Sequence, residues 1–523
     1  MKIWSVLFLF LVAMGLNNLL PAQTPYKLKH QIFYFESDRL IAGTDNSDPV
    51  PGDVDQRNFS IGQHNIVVHN GVFYHAYYDN RSGDYNIYLR TSEDGMNWSD
   101  LSQVNDDTLG NDQYNPTLVV YDDGGTTHVV VAWQDIKDGQ HKIRSARSTD
   151  GGQSFSPSVE IGAFTNVYAT YPNIAIGEYG TVYIICFQFV TSWSGTDRKV
   201  WFSKSTDNGQ TWSDVVNIWE NGSEWDYPPD IVAQGQKVMV INNLGPFSNQ
   251  QFAHLYYTSS QDSGNTWQSP SPIVQYHDSL RARYPSAVVD ANGTVHTLWF
   301  QGQFAGDNNR FMFSKSTDWG QSWSEEVQVN NTSIVKEEWR GHWMATSLAI
   351  SDNGTLYAVW QDERRNPGSD NYDIYLSYST DGGQTWSSDT LVNNTIDAHQ
   401  AHPSIAVKSG AVDTVLIVWQ EENIATGIND GNTLTPGGYH LAQNYPNPFN
   451  PTTTIRFQLP QSGLVSLKVY DMTGKEVVVL VNEPKPAGIY QVHFDAGQLA
   501  SGVYFYILQA GNFQQTRKML LLR

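Results

Sequence analysis

The sequence predicts an all-β chain, made of repeated four-stranded units and followed by a small, separate β-sandwich. Three observations carry that reading. A nine-residue turn recurs at near-constant spacing, short apolar runs alternate with turn residues around every copy, and the residues after 440 alternate apolar and polar side chains without the turn.

The turn reads STDGGQTWS at residues 379–387. Close copies are STDGGQSFS from Ser148, STDNGQTWS from Ser205, SQDSGNTWQ from Ser260 and STDWGQSWS from Ser316, and TSEDGMNWS from Thr91 is degenerate. In the full copies an aspartate (Asp150, Asp207, Asp262, Asp318, Asp381) is placed to fold its carboxylate back onto the turn's N–H groups. Aligning the first copy on its aromatic puts Glu93 there instead. A glycine two residues on permits φ > 0, and the following aromatic buries its ring against a neighbouring unit. These aromatics stand at 98, 155, 212, 267, 323 and 386, intervals of 57, 57, 55, 56 and 63, a period that signals stacked supersecondary units. The pattern S-x-D-x-G-x-x-W resembles the Asp box, or bacterial neuraminidase repeat, of the sialidase superfamily. That resemblance implies a β-propeller whose Asp-box carboxylates are structural.

In chain order, Lys2, the apolar run from Ile3 to Leu16 and Ala22 read as a secretory signal peptide over residues 1–22. The run is too short to span a membrane, so no transmembrane segment is expected in the mature chain. A formal net charge of -22 argues against nucleic acid and anionic membranes as partners. The single cysteine, Cys186, excludes an internal disulfide and reads as a core residue. Residues 24–60 hold one strand-like run, HQIFYFES, then an acidic loop with Asp45, Asp48, Asp53 and Asp55 whose spacing matches no calcium loop.

From residue 61 each unit has a first apolar run, often begun by Tyr-Pro, a second run, a third, the Asp box and a last short strand: a four-stranded blade. After the sixth, HPSIAVK and TVLIVWQEE leave two strands over, ending at Glu422. Exposed edges are a liability, so seven blades are favoured, the last completed by HQIFYFES; six blades with an extra hairpin is the alternative. The propeller then covers 24–422 and a Gly-, Asn- and Thr-rich linker 423–440. Residues 441–523 form the β-sandwich. Their motif at 444–451, with SGVYFY and TRKMLLL, resembles the type A sorting domain of the bacterial type IX secretion system. The resemblance implies that secretion machinery as a partner, and delivery through the periplasm to the cell surface or the exterior.

Chemistry is sought on the face opposite the Asp boxes, where first strands start and second strands end. His64, Tyr114, Tyr171, Tyr227, Tyr284 and His402 come from the starts, and Asp79, Arg81, Gln134, Gln301, Asp362 and Arg364 from the ends. Rings beside carboxylates and amides suit an extracellular carbohydrate. Residues that break the repeat add Asp84, Arg283, Glu337, Glu338, Arg340 and Arg365, and converging arginines would hold a carboxylate. Candidate catalytic residues are therefore Asp79, Asp84 and Tyr284; candidate substrate contacts are Arg81, Tyr114, Arg283, Arg340, Asp362 and Arg364. No metal-ligand cluster or cofactor motif occurs in the sequence, so neither a metal nor a cofactor is called for.

Sialidases that cleave sialic acid carry an Arg-Ile-Pro motif on the first strand. This chain has Gln63, His64, Asn65 and Ile66 there, which speaks against sialic acid. Two functions remain: a secreted glycoside hydrolase-like or lyase-like enzyme, and a non-catalytic propeller that binds polysaccharide or protein.

Overall fold

A computed structural model describes residues 26–36, 39–45, 64–79, 84–106, 111–137, 140–162, 167–190, 198–221, 228–244, 254–274, 281–302, 310–331, 345–364, 372–393, 398–423, 440–441, 444, 449–459, 461–486, 488–511 and 513–522. The signal peptide, the acidic loop after Asp45 and residues 424–439 of the linker lie outside them, as do Gln63, Arg81, Tyr227, Glu337, Glu338, Arg340 and Arg365. Described residues fall into two units, one within 23–424 and one within 425–523.

The first unit holds seven four-stranded antiparallel sheets among its described residues. Six follow chain order within themselves: blade 1 (66–103), blade 2 (112–160), blade 3 (167–221), blade 4 (230–272), blade 5 (281–328) and blade 6 (346–391). In the seventh, Ala398–Lys408 and Asp413–Asn423 come from one end of the unit and Tyr26–Glu36 and Arg39–Asp45 from the other. Tyr26–Glu36 runs antiparallel to Asp413–Asn423, with Tyr26 opposite Glu422 and Phe35 opposite Asp413. Successive first strands touch around a circle that Ala398–Lys408 completes against Ile66–His69. The sheets thereby enclose a central channel, a propeller layout in which no sheet edge is left open toward the ring.

Packing between blades explains the repeat. In the Asp box of blade 6, the Gly383 and Thr385 amides donate to Ser379 Oγ and Asp381 Oδ1, each at 2.9 Å. Gly383 has φ +88°, and a Cβ there would lie 2.0 Å from the Phe313 ring of blade 5. Trp386 meets the same ring edge-on at 5.4 Å. Gly264 and Trp267 do likewise to Phe202. The motif is thus a plug that seats each blade on the preceding one, and the aromatic period is the spacing of these seats. One assignment is corrected. In the first box Asp94, not Glu93, turns back, accepting the Met96 and Asn97 amides at 2.8 and 2.7 Å. A shift of one residue preserves the bonds because the bonds, not the aromatic alignment, fix the turn.

Second strands are buried on both faces, between neighbouring blades: every residue of Val295–Gly302 and of Leu356–Asp362 is buried. Trp133, Trp299 and Trp360 of the second strands are fully buried, and Cys186 is a buried thiol whose pKa burial pushes up. In the second unit a three-stranded and a four-stranded sheet contribute to one apolar core, which includes Phe449, Ile455, Phe457, Leu467, Tyr506 and Met519. Asn444, the first residue of the motif there, is buried, with its amide donating to the Tyr506 hydroxyl at 2.6 Å and its carboxamide to Thr453 Oγ1 at 3.0 Å. No described helix is long and apolar enough to cross a membrane.

Candidate active site in the central channel

Each first strand puts one polar residue at the same ladder position. Thr117, Asn173, Asp230, Ser286, Ser347 and Ser404 pair with Ala132, Ile185, Ile241, Leu298, Val359 and Val418 of their second strands. Asn65 matches them in blade 1, its carbonyl accepting the Ala76 amide. This belt binds blade to blade: Leu348 donates its amide to Ser286 Oγ at 3.0 Å, and Asn173 donates to Asp230 Oδ1 at 2.7 Å.

Two members of the channel wall break the pattern. Asp230 is the charged residue of the seven. His64 stands where blades 2, 3, 4, 5 and 7 have Pro116, Pro172, Pro229, Pro285 and Pro403. These two side chains meet. His64 Nε2 lies 2.9 Å from Asp230 Oδ1, joining blade 1 to blade 4.

Asp230 has no solvent exposure and accepts three further bonds. These come from Asn173, the Ile231 amide at 2.8 Å and the Ala287 amide at 2.6 Å on Oδ2. The Ile231 and Ala287 amides and the Asn173 carboxamide nitrogen can only donate, so the Asp230 oxygens act as acceptors toward all three. With Oδ1 already accepting from Asn173 and Ile231, the His64 tautomer that completes the contact carries its proton on Nε2 and leaves the lone pair on Nδ1. The His64 backbone is fixed as well, its carbonyl accepting the Leu118 amide of blade 2 at 2.8 Å. The ring is thus held through Nε2 and the residue through its backbone, while 22% of the side chain stays exposed.

The residues singled out from sequence separate into groups. Asp79 and Asp362 are both fully buried and hold one repeated position, six residues beyond Phe73 and Leu356, which pair with Ser92 and Ser379 of their Asp boxes. Asp135 holds it in blade 2, where it accepts Gln113 Nε2 at 2.9 Å. This position ties strands within a blade, so Asp79 and Asp362 are placed as scaffold carboxylates. Asp362 is bound by Arg364 through Nε at 2.6 Å and a second guanidinium nitrogen. Arg364 also reaches Asp389 at 2.5 Å and lies 4.1 Å from the centre of the Tyr375 ring. Burial raises the Asp362 pKa against the opposing pull of Arg364. Arg364 is thus committed to two aspartates and a ring, an arrangement for holding blade 6 together.

Tyr284 shares its backbone with Asn115, Tyr171 and His402: all have φ between +50° and +54°, and all precede the strand-start proline at a bulge. Its ring is 3% exposed, packed in the core between blades 5 and 6, and its carbonyl accepts Thr346 Oγ1 at 2.8 Å. Tyr114 is buried with Tyr78 and Tyr85, at 5.5 and 5.3 Å. Arg283 is 3% exposed, so it is a packed residue and not an open loop arginine. Asp84 lies beyond the second strand of blade 1, its carbonyl accepting the Asn86 carboxamide at 3.0 Å. Arg81 and Arg340 lie outside the described residues.

Asp230 went unnoticed in the sequence. Its signal is the acid in YPPD, where blades 3 and 5 read YPN and YPS. No group of three or more potential metal ligands occurs among the described residues.

Comparison with known proteins adds the following. A BNR repeat-like domain model matches residues 53–240, and a secretion system C-terminal sorting domain model matches residues 443–522. The chain thus carries a sialidase-like repeat domain and a type IX sorting domain, and the latter marks proteins secreted to the outer-membrane surface or the exterior. None of the curated proteins matches. Among solved structures, an ulvan-degrading polysaccharide lyase is 13% identical, with TM-score 0.45, covering 82% of this chain and 92% of its own. A Hadza microbial sialidase is 14% identical, TM-score 0.39, covering 79% and 92%. An α-L-arabinanase of Penicillium chrysogenum is 15% identical, TM-score 0.40, covering 58% and 91%.

Proposed function

We infer that this chain is a secreted, glycan-active propeller in which His64, oriented by Asp230, transfers the proton at the channel mouth. The observation that carries the reading is the 2.9 Å contact between the two, with Asp230 held by four donors and 22% of the His64 side chain still exposed. A carboxylate that fixes the far nitrogen sets the tautomer and stabilises the imidazolium formed when the near nitrogen takes a proton. The sorting domain supports a substrate met outside the cell, where polysaccharides are the abundant polymers.

Hydrolysis by two carboxyl groups requires both to flank the scissile bond. Asp79 and Asp362 are buried in strand ladders and Asp230 has its acceptor capacity engaged, so the described channel favours chemistry run by one base. Eliminative cleavage of a uronate-containing polysaccharide fits. His64 Nδ1 takes the proton beside the sugar carboxylate and its electron pair becomes the new C=C bond. The adjacent C–O bond breaks, and the leaving oxygen gains a proton from solvent. The test incubates the full mature chain with uronate-rich polysaccharides and follows the ultraviolet absorbance of unsaturated ends beside reducing ends. Unsaturated products that disappear in His64→Ala are expected. Reducing ends without unsaturation would replace elimination by hydrolysis, and binding with no product from any substrate would assign the channel to recognition.

A further inference from the structure

Asp230 is reached from three other blades. Its Oδ1 accepts His64 of blade 1 at 2.9 Å, Asn173 of blade 3 at 2.7 Å and the amide of the next residue, Ile231, at 2.8 Å, while Oδ2 accepts the Ala287 amide of blade 5 at 2.6 Å. Ile231 and Ala287 contribute backbone groups, placed by their strands whatever side chains they carry. Asn173 is therefore the one side chain besides His64 that bonds this carboxylate among the described residues.

Its placement departs from the belt. In blades 4 and 5 the belt residue accepts the amide one position beyond its counterpart in the following blade: Asp230 Oδ2 accepts Ala287, and Ser286 Oγ accepts Leu348. By that rule Asn173 would accept the Ile231 amide. Instead Asn173 Oδ1 accepts the amide of its own neighbour, Ile174, at 2.9 Å, and the Ile231 amide bonds Asp230. A backbone N–H can face only the oxygen of a carboxamide, so the Ile174 bond settles which way the group points: its NH2 meets Asp230 Oδ1. Asn173 is 7% exposed, too covered to serve as a substrate contact.

We propose that Asn173 is a positioning residue for His64: from blade 3 it holds Asp230 Oδ1 against the imidazole, so that Nε2 keeps the proton and Nδ1 is the nitrogen presented to a substrate. The inference rests on the reading of His64 as the base. The Ile231 bond spans a single residue and fixes little beyond its own strand, whereas the Asn173 bond ties the same oxygen to another blade. Pinned between side chains of blades 1 and 3, that oxygen cannot swing without breaking one of the two contacts.

Nitrogen-15 magnetic resonance of the full mature chain, labelled at histidine, tests this, because protonated and bare ring nitrogens resonate far apart. The signals missing from His64→Ala identify the residue. Asn173→Ser and Asn173→Thr withdraw the donor: Ser286 and Thr117 hold this ladder position in other blades, so both variants should fold, but a hydroxyl sits one bond from Cβ where the carboxamide nitrogen sits two. Ser286→Ala is the control, since it breaks a belt bond that does not reach Asp230. At a pH where the ring is neutral, the parent and Ser286→Ala should show the form protonated on Nε2, and both Asn173 variants a mixture of the two forms. On a uronate polymer that the parent cleaves, kcat should fall about tenfold or more in the Asn173 variants, with KM little changed and Ser286→Ala parent-like. A parent protonated on Nδ1, parent-like His64 signals in both Asn173 variants, or the same mixture in Ser286→Ala would reduce Asn173 to a belt residue. The expected ring signals in a parent that cleaves nothing would overturn the catalytic reading of His64 while its positioning by Asn173 stands.

Discussion

His64 and Asp230 are 166 residues apart in the chain and 2.9 Å apart across the channel, one replacing a repeated proline and the other a repeated neutral side chain. Asp230 also bonds blades 3 and 5, but the belt does not need a charge for that, because other blades close it with the neutral Thr117, Asn173 and Ser286. The contact fixes the His64 ring through Nε2, and in the proposed reaction it is the other nitrogen that takes the proton.

The first prediction separates those roles. His64→Ala leaves Asp230 with three donors and should cost only about 1 kcal/mol, while lowering kcat by about a hundredfold or more. Asp230→Asn turns an amide toward backbone donors and should cost about 3 kcal/mol as well as activity. Denaturant unfolding and kinetics on the two variants check this: equal stability losses would make the pair a latch.

Gly383→Ala should destabilise the ring although Gly383 touches no site. A Cβ would meet the Phe313 ring at 2.0 Å and a non-glycine residue would sit at φ +88°. Overpacking and the backbone penalty together amount to about 2 to 6 kcal/mol. Gly354, also at positive φ (+87°) but with open space around its Cβ position, isolates the backbone part. Gly354→Ala should lose clearly less in the same unfolding experiment.

The scaffold was legible because it repeats: one turn with a mechanism, six times over, fixes the blade, its period and the seat of its aromatic. Channel chemistry was legible only in part. His64 was among the residues gathered on the face opposite the Asp boxes, but its partner lies three blades away and no local pattern links them. The arginines and acids that drew attention did so by type alone. Arg364 is satisfied by Asp362 and Asp389, and Arg283 is buried, because a charge near a strand end is as easily a brace as a ligand contact. Register exposed Asp79, Asp362 and Tyr284 as repeated positions, and register was not available before the strands were paired.

Acid should unseat the Asp boxes. The Asn97 amide, with further bonds outweighing the burial cost, holds Asp94 down to about 2. The hydroxyl and amide of Thr266 do so for Asp262, also about 2. A depressed carboxylate contributes stability that is complete above its unfolded pKa and lost as pH falls through the folded one. The melting temperature should therefore decline from about pH 4 toward pH 2. Replacing both aspartates by asparagine should lower the plateau at neutral pH and flatten that decline. A parent-like slope in the double variant would move the acid sensitivity elsewhere.

Arg364→Ala should unfold more readily without changing glycan affinity. The guanidinium is the counter-charge of Asp362, which has no exposure of its own, and it spans the Tyr375 ring to reach Asp389. Removing it leaves a buried carboxylate whose pKa, already raised by burial against the pull of Arg364, must rise further. Breaking a buried pair from one side costs about 3 to 5 kcal/mol, whereas an exposed loop arginine would give about 0 to 1 kcal/mol. Arg364→Lys tests geometry against charge, because an ammonium keeps the charge but cannot fork between Asp362 and Asp389, and it should recover only part of the loss. The measurement is denaturant unfolding of the three proteins beside titration with whichever glycan the parent binds. Full stability in Arg364→Ala together with an affinity loss of about tenfold or more would return Arg364 to the substrate.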